Sequence, residues 1–93
     1  MRVGILKVEL YLGTSSSLKQ KRGVLRGLKA RLRNKFNVSV AEVGEMDKWQ
    51  RASLAIVVVS NDKKHLCSYI DGIAGFIERE DKLMVIDRMT EIL

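Results

Sequence analysis

Proline is absent from this sequence, and cysteine, histidine and tryptophan occur once each. Without proline there is no forced kink and no proline-rich linker, so nothing marks a boundary inside the chain and one domain over residues 1–93 is expected. A single cysteine, Cys67, excludes an internal disulfide framework. Together with the single His65 it is too small a donor set for a transition-metal site, which draws on several His or Cys ligands. Aromatic residues make up only 5% of a chain that is 46% hydrophobic, so the core must be built from Val, Ile, Leu and Met. No apolar run approaches the ~20 residues that span a bilayer as a helix, and the N-terminus lacks the basic, apolar and small-residue order of a signal peptide. A cytoplasmic protein is expected. The common glycine-rich phosphate loops are missing as well, and no nucleophile stands at helical spacing from a base: Cys67 follows His65 by two residues, which places them on different parts of a helix. No catalytic residue, cofactor or metal is assigned.

The most local absence is of acid. Between Ser17 and Phe36 there is no Asp or Glu, while eight of the chain's seventeen Lys and Arg lie there: Lys19, Lys21, Arg22, Arg26, Lys29, Arg31, Arg33 and Lys35. The remaining chain holds nine bases against eleven acids, so the net charge of +6 belongs to this one segment. At 100° per residue, Leu18, Val24, Leu25, Leu28, Leu32 and Phe36 share an arc of about 120°, the width of a core-facing stripe. Lys19, Arg22, Arg26, Lys29 and Arg33 fill an adjacent arc of about 80°. Ser17 to Gln20 has the form of a capping box that opens the helix, and Phe36-Asn37 is expected to close it with a left-handed turn at Asn37. Gly23, Gly27 and Ala30 lie opposite the apolar stripe, where the interior glycines suggest close approach by another helix or a nucleic-acid backbone. Lys21 falls inside the apolar arc. Its ammonium must snorkel past the helix start or meet a carboxylate; the sharper alternative is a fixed anion contact beside the hydroxyls of Ser15–Ser17.

Around this helix the chain alternates on the strand period. In residues 2–12, Leu6, Val8, Leu10 and Leu12 point one way, and Val3, Ile5, Lys7, Glu9 and Tyr11 the other. Val38 to Val43 and Leu54 to Val59 read as two more strands, joined through a polar loop, Gly44 to Arg51, that holds Trp49. A lone tryptophan is usually structural, so Trp49 is expected to fold back onto the core edge, with stacking on a base or a partner as the alternative. Asp62 to Arg79 forms a second amphipathic helix with Leu66, Tyr69, Ile70, Ile73, Phe76 and Ile77 on one face. Residues 83–92 return to alternation, with Leu83, Val85 and Met89 against Met84, Ile86 and Ile92. The order β-α-β-β-α-β in a chain of this length predicts an α+β ferredoxin-like sandwich, a four-stranded antiparallel sheet with two helices on one face. Leu6, Val8, Leu10, Leu25, Leu28, Leu32, Ile73 and Ile77 are its expected core. Acylphosphatases share the size, charge and fold class, but the turn Gly13 to Ser17 has neither their glycine-rich loop nor its arginine.

Four blocks, Ser17-Leu18-Lys19-Gln20-Lys21-Arg22, Phe36-Asn37-Val38-Ser39-Val40-Ala41-Glu42, Trp49-Gln50-Arg51-Ala52 and Val59-Ser60-Asn61-Asp62, resemble in order those of the bacterial YlxP-like family, domain of unknown function 503. The resemblance implies a ferredoxin-like fold, a bacterial cytoplasmic origin and a genomic setting beside translation and ribosome-maturation genes. It implies no activity and no catalytic residue.

Three functions compete. An RNA-binding or ribosome-associated module would use Lys19, Lys21, Arg22, Arg26, Lys29, Arg33 and Arg51 on phosphates, through the helix rather than the sheet, since only Tyr11 lies on the open sheet face to stack a base. A homodimeric interaction domain would use the open sheet face or the small-residue strips of the two helices, Gly23, Gly27 and Ala30 on the first and Ser68, Gly72 and Gly75 on the second. A ligand-binding regulatory domain would use Ser15–Ser17 and Lys21. Glu42, on the face of Val38 and Val40, is expected to pair with Lys21 or Arg51.

Overall fold

In the computed structural model, which describes residues 1–93, the elements run β1 (Arg2–Tyr11), α1 (Leu18–Lys35), β2 (Ser39–Gly44), β3 (Arg51–Ser60), α2 (Lys63–Glu78) and β4 (Met84–Ile92). The strands form one antiparallel sheet in the order β2-β3-β1-β4. The alternation of β1 sorts its side chains as read from the sequence: Leu6, Val8 and Leu10, with Leu12 just beyond the strand, are buried, while Val3, Ile5, Lys7 and Glu9 stay half-covered. Register then recruits β3 to the same face, with Leu6 opposite Ile56, Val8 opposite Leu54 and Leu10 opposite Ala52. Leu25, Leu28 and Leu32 of α1 and Leu66, Ile70, Ile73, Ala74 and Ile77 of α2 join these in a single apolar cluster. Both helices therefore cover one face and the other is open, which is the ferredoxin-like sandwich. Neither helix is long and apolar enough to cross a membrane.

Local chemistry sets the helix starts. Ser17 is extended and its hydroxyl accepts from the Gln20 amide at 3.1 Å. Gln20 reaches back to Ser16, accepting from its N–H at 2.7 Å and its hydroxyl at 2.8 Å, so the capping box closes one residue earlier than Ser17. Asp62 caps α2 by accepting from the amides of Lys64 and His65.

Three expectations are corrected. Asn37 takes no left-handed turn; the only non-glycine residue with positive φ is Glu45, at 61°. The helix end is closed instead by one backbone and one side-chain hydrogen bond. Phe36 is extended with its N–H on the Leu32 carbonyl at 2.8 Å, and Asn37 N–H donates to the Tyr69 hydroxyl at 2.7 Å. The Phe36 ring packs edge-on against Tyr69 and Phe76. Strand β3 begins at Arg51 rather than Leu54, because Arg51, Ala52 and Ser53 pair with Tyr11, Leu10 and Glu9, and the Ser53 hydroxyl donates to Glu9 at 2.9 Å. In β4 a bulge skips Ile86 between the Leu10–Val85 and Glu9–Asp87 pairs. Beyond it every side chain changes face, so Met89 joins Met84 on the open face and Ile92 turns toward the core.

Candidate nucleic-acid interface

The basic residues of helix α1 differ in what each side chain meets. Lys19, Arg22 and Arg26 are exposed and Lys29 is half-buried, and none of the four enters an ion pair or donates a hydrogen bond to another residue. Ion pairs occupy Lys7, Lys21, Arg31, Lys48 and Arg88 instead. Arg33 is exposed but reaches across to the edge strand β2, donating to the Val40 carbonyl at 3.0 Å. On the opposite flank, Arg31 pairs with Glu80 and the Lys35 ammonium lies 5.3 Å from the centre of the Phe76 ring. The adjacent arc seen in the sequence is thus a line of four free cations, extended by one that also holds the sheet edge.

Lys21 does not belong to that line, and its place among the phosphate contacts is corrected. Its side chain is completely buried. The ammonium donates to the carbonyls of Glu45 at 2.8 Å and Arg51 at 3.2 Å, with the Met46 carbonyl at 3.4 Å. Glu42 Oε2 lies 3.0 Å away and takes no well-directed hydrogen bond, so that contact is electrostatic. Three N–H groups meeting four oxygens satisfy the charge that burial would otherwise penalise. Of the two partners expected for Glu42, the fold selects Lys21. The position is readable afterwards: a lysine in the apolar arc needs acceptors, and the β2–β3 loop supplies them.

That loop, residues 45–50, is held on both sides. Lys21 grips its two ends, the Leu12 amide donates to the Gln50 carbonyl at 2.8 Å, and Gln50 Nε2 donates to the carbonyls of Gly13 at 3.2 Å and Ser15 at 3.3 Å. Within it, Glu45 in the left-handed region opens a turn closed by the Lys48 amide on the Glu45 carbonyl at 3.1 Å and by a Lys48–Glu45 ion pair at 2.9 Å. Trp49 does not fold back on the core; 55% of it is exposed. The backbone of Arg51 is tied to Lys21, while its exposed side chain leaves β3 on the open sheet face, opposite Tyr11. Arg51 is therefore not part of the α1 line, but it lies at the α1 N-terminal end of the molecule.

An open-faced α+β sandwich with a line of free cations along one helix is the class that fold and surface define. The family described as "Protein of unknown function (DUF503)" matches residues 3–90, and the chain belongs to it. It is 37% identical over 76 residues to the "Uncharacterized protein YlxP" of Bacillus subtilis (strain 168), a match covering 82% of this chain and 83% of that protein.

Proposed function

We propose that this protein is an RNA-binding module, acting in a ribosome or translation context, with Lys19, Arg22, Arg26, Lys29 and Arg33 as its phosphate contacts. The observation that carries this reading is that four of these cations have no partner in the chain, although acids elsewhere pair with five other bases. Unpaired like charges along one helix repel one another, a cost that a polyanion relieves, and the patch speeds encounter with it. Contacts of this kind give affinity and salt dependence with little choice of sequence. The test is the variant Lys19→Gln/Arg22→Gln/Arg26→Gln, which leaves Arg33 on its Val40 carbonyl and keeps helix propensity. In filter binding to a structured RNA across a salt series, affinity should fall and the slope of log K against log salt should become shallower by about 2–3. Equal binding by variant and parent would remove α1 as the contact surface.

A second reading, a homodimeric interaction domain, has one observation in its favour: Tyr11, Val59, Met84 and Met89, large and exposed, all lie on the open sheet face. Four strands of up to ten residues present about 600 Å² there, near the ~800 Å² per partner of a stable interface. Arg51 at one side and Asp87 and Glu91 on β4 give that face charges that a two-fold related copy could match. Light scattering at micromolar concentration decides it: twice the chain mass is expected from this reading, and a monomeric mass removes it.

A further inference from the structure

The five aromatic residues of the chain are divided between its two ends. Tyr69 and Phe76 both pack on Phe36 at the C-terminal end of α1, against the core. Trp49, 55% exposed, and Tyr11, 40% exposed, belong to the other end, beside Arg51. From this arrangement we propose that Trp49, Tyr11 and Arg51 form a stacking site for unpaired nucleobases; the inference rests on the RNA reading above and names the part of the RNA that this end would take.

An exposed tryptophan on a slack loop would mean little. Here the loop is fixed before any ligand arrives, because the buried Lys21 ammonium binds the carbonyls of Glu45 and Arg51, and Gln50 is bonded to Leu12, Gly13 and Ser15. Ordering the loop is therefore not a cost charged to binding. The ring of Tyr11 lies over Gly13, where an added Cβ would come within 2.8 Å of Tyr11 Cε2, so glycine at 13 leaves the space the ring occupies. Arg51 is the cross-strand neighbour of Tyr11 and two residues from Trp49, and its side chain enters no ion pair. A guanidinium and two rings offer flat faces of the kind on which bases stack.

The surroundings favour a base over a protein side chain. The shallow depression beside Trp49 has a volume of about 390 Å³ and is lined by Asp47, Lys48, Trp49, Gln50 and Arg51, with the tryptophan its one hydrophobic residue. Sites for apolar side chains are lined mostly by apolar and aromatic groups. One ring framed by amide, carboxylate and cations instead suits a planar ligand with polar edges. Lys19 and Arg22, in the turn of α1 that carries Lys21, begin the phosphate line at this end. An RNA lying along α1 would thus reach this end with its backbone already held. A duplex offers no free base face, so the site selects loops, bulges and ends.

The only tryptophan in the chain is the residue in question, so its emission reports on the site directly. The full chain is titrated at low salt with single-stranded oligoadenylate and, separately, with a blunt RNA duplex of equal charge. Trp49 emission should be quenched by the single strand and not by the duplex. Trp49→Leu should bind the single strand about 5- to 150-fold more weakly, Trp49→Phe should recover most of the loss, and duplex affinity should be the same in all three. Salt-dependent RNA binding with unchanged emission and equal affinity of Trp49→Leu overturns the stacking site and leaves the α1 reading standing. No affinity for either RNA overturns both. Emission that changes with protein concentration alone, without RNA, makes this end a contact between copies and also overturns the proposal.

Discussion

Lys21 shows how one residue can anchor a surface it does not belong to. Its charge is surrounded by oxygens from the end of β2, the turn and the start of β3, so α1 and the hairpin share a single polar joint. Removing the ammonium leaves three part-buried carbonyls and the Glu42 carboxylate without their cation. Lys21→Met should therefore cost about 3 kcal/mol of stability, read as a lower urea midpoint at unchanged slope. Glu42→Gln should cost no more than about 1–2 kcal/mol, because the carbonyls still hold the ammonium. The reverse order would mean that the carboxylate and not the carbonyls carries the joint. Trp49 sits on the loop that Lys21 pins, with its ring exposed to solvent.

At the scale of the element, α1 has a buried stripe, a cationic line and a third face of small residues. That third face has no occupant in the chain: nothing lies within 4 Å of a Cβ added at Gly23, and at Gly27 the nearest group is the flexible Arg31 guanidinium at 3.1 Å. Gly23→Ala should accordingly stabilise the isolated protein by about 0.5–1 kcal/mol through helix propensity alone. Thermal or urea unfolding measures it, and a destabilised variant would reveal an approach to Gly23 within the folded chain. The same substitution separates a contact on this face from one on the cationic line. Weakened RNA binding would place the nucleic-acid backbone against Gly23, and unchanged binding leaves it on Lys19, Arg22, Arg26 and Lys29. In β2, Arg33 serves the element differently. As an edge strand, β2 exposes unpaired backbone groups, and a guanidinium on the Val40 carbonyl covers one of them with charge.

For the whole molecule, the charge map and the fold map coincide. The cations lie on the helix-covered side and along the β2 edge, whereas the exposed apolar residues Val59, Met84 and Met89 lie on the open sheet face. The phosphate contacts proposed on α1 and the open sheet face proposed for self-association would therefore be different surfaces, which meet only at Tyr11 and Arg51. The triple Gln variant should have the same mass by light scattering as the parent, whichever mass that is, while its RNA affinity falls. A change in mass would show that the cationic helix takes part in assembly.

The sequence by itself determined the order of elements, the ferredoxin-like class, the eight expected core residues and the place of the positive charge. Each of these depends on periodicity or capping within a few residues, and strand alternation and helical stripes record which face meets the core. The tertiary structure alone decided the fates of Lys21, Trp49, Arg33 and Met89. Lys21 is bound to carbonyls 24, 25 and 30 residues away, a relation that no local pattern encodes. Trp49 stays in solvent on the loop that this distant grip ties to α1, a placement that the sequence of the loop alone does not record. Arg33 is drawn to β2 because that strand lies at the sheet edge beneath α1. Met89 faces away from the helices because a one-residue bulge against β1 reverses the period of two, and the pairing with β1, not the composition of β4, places that bulge.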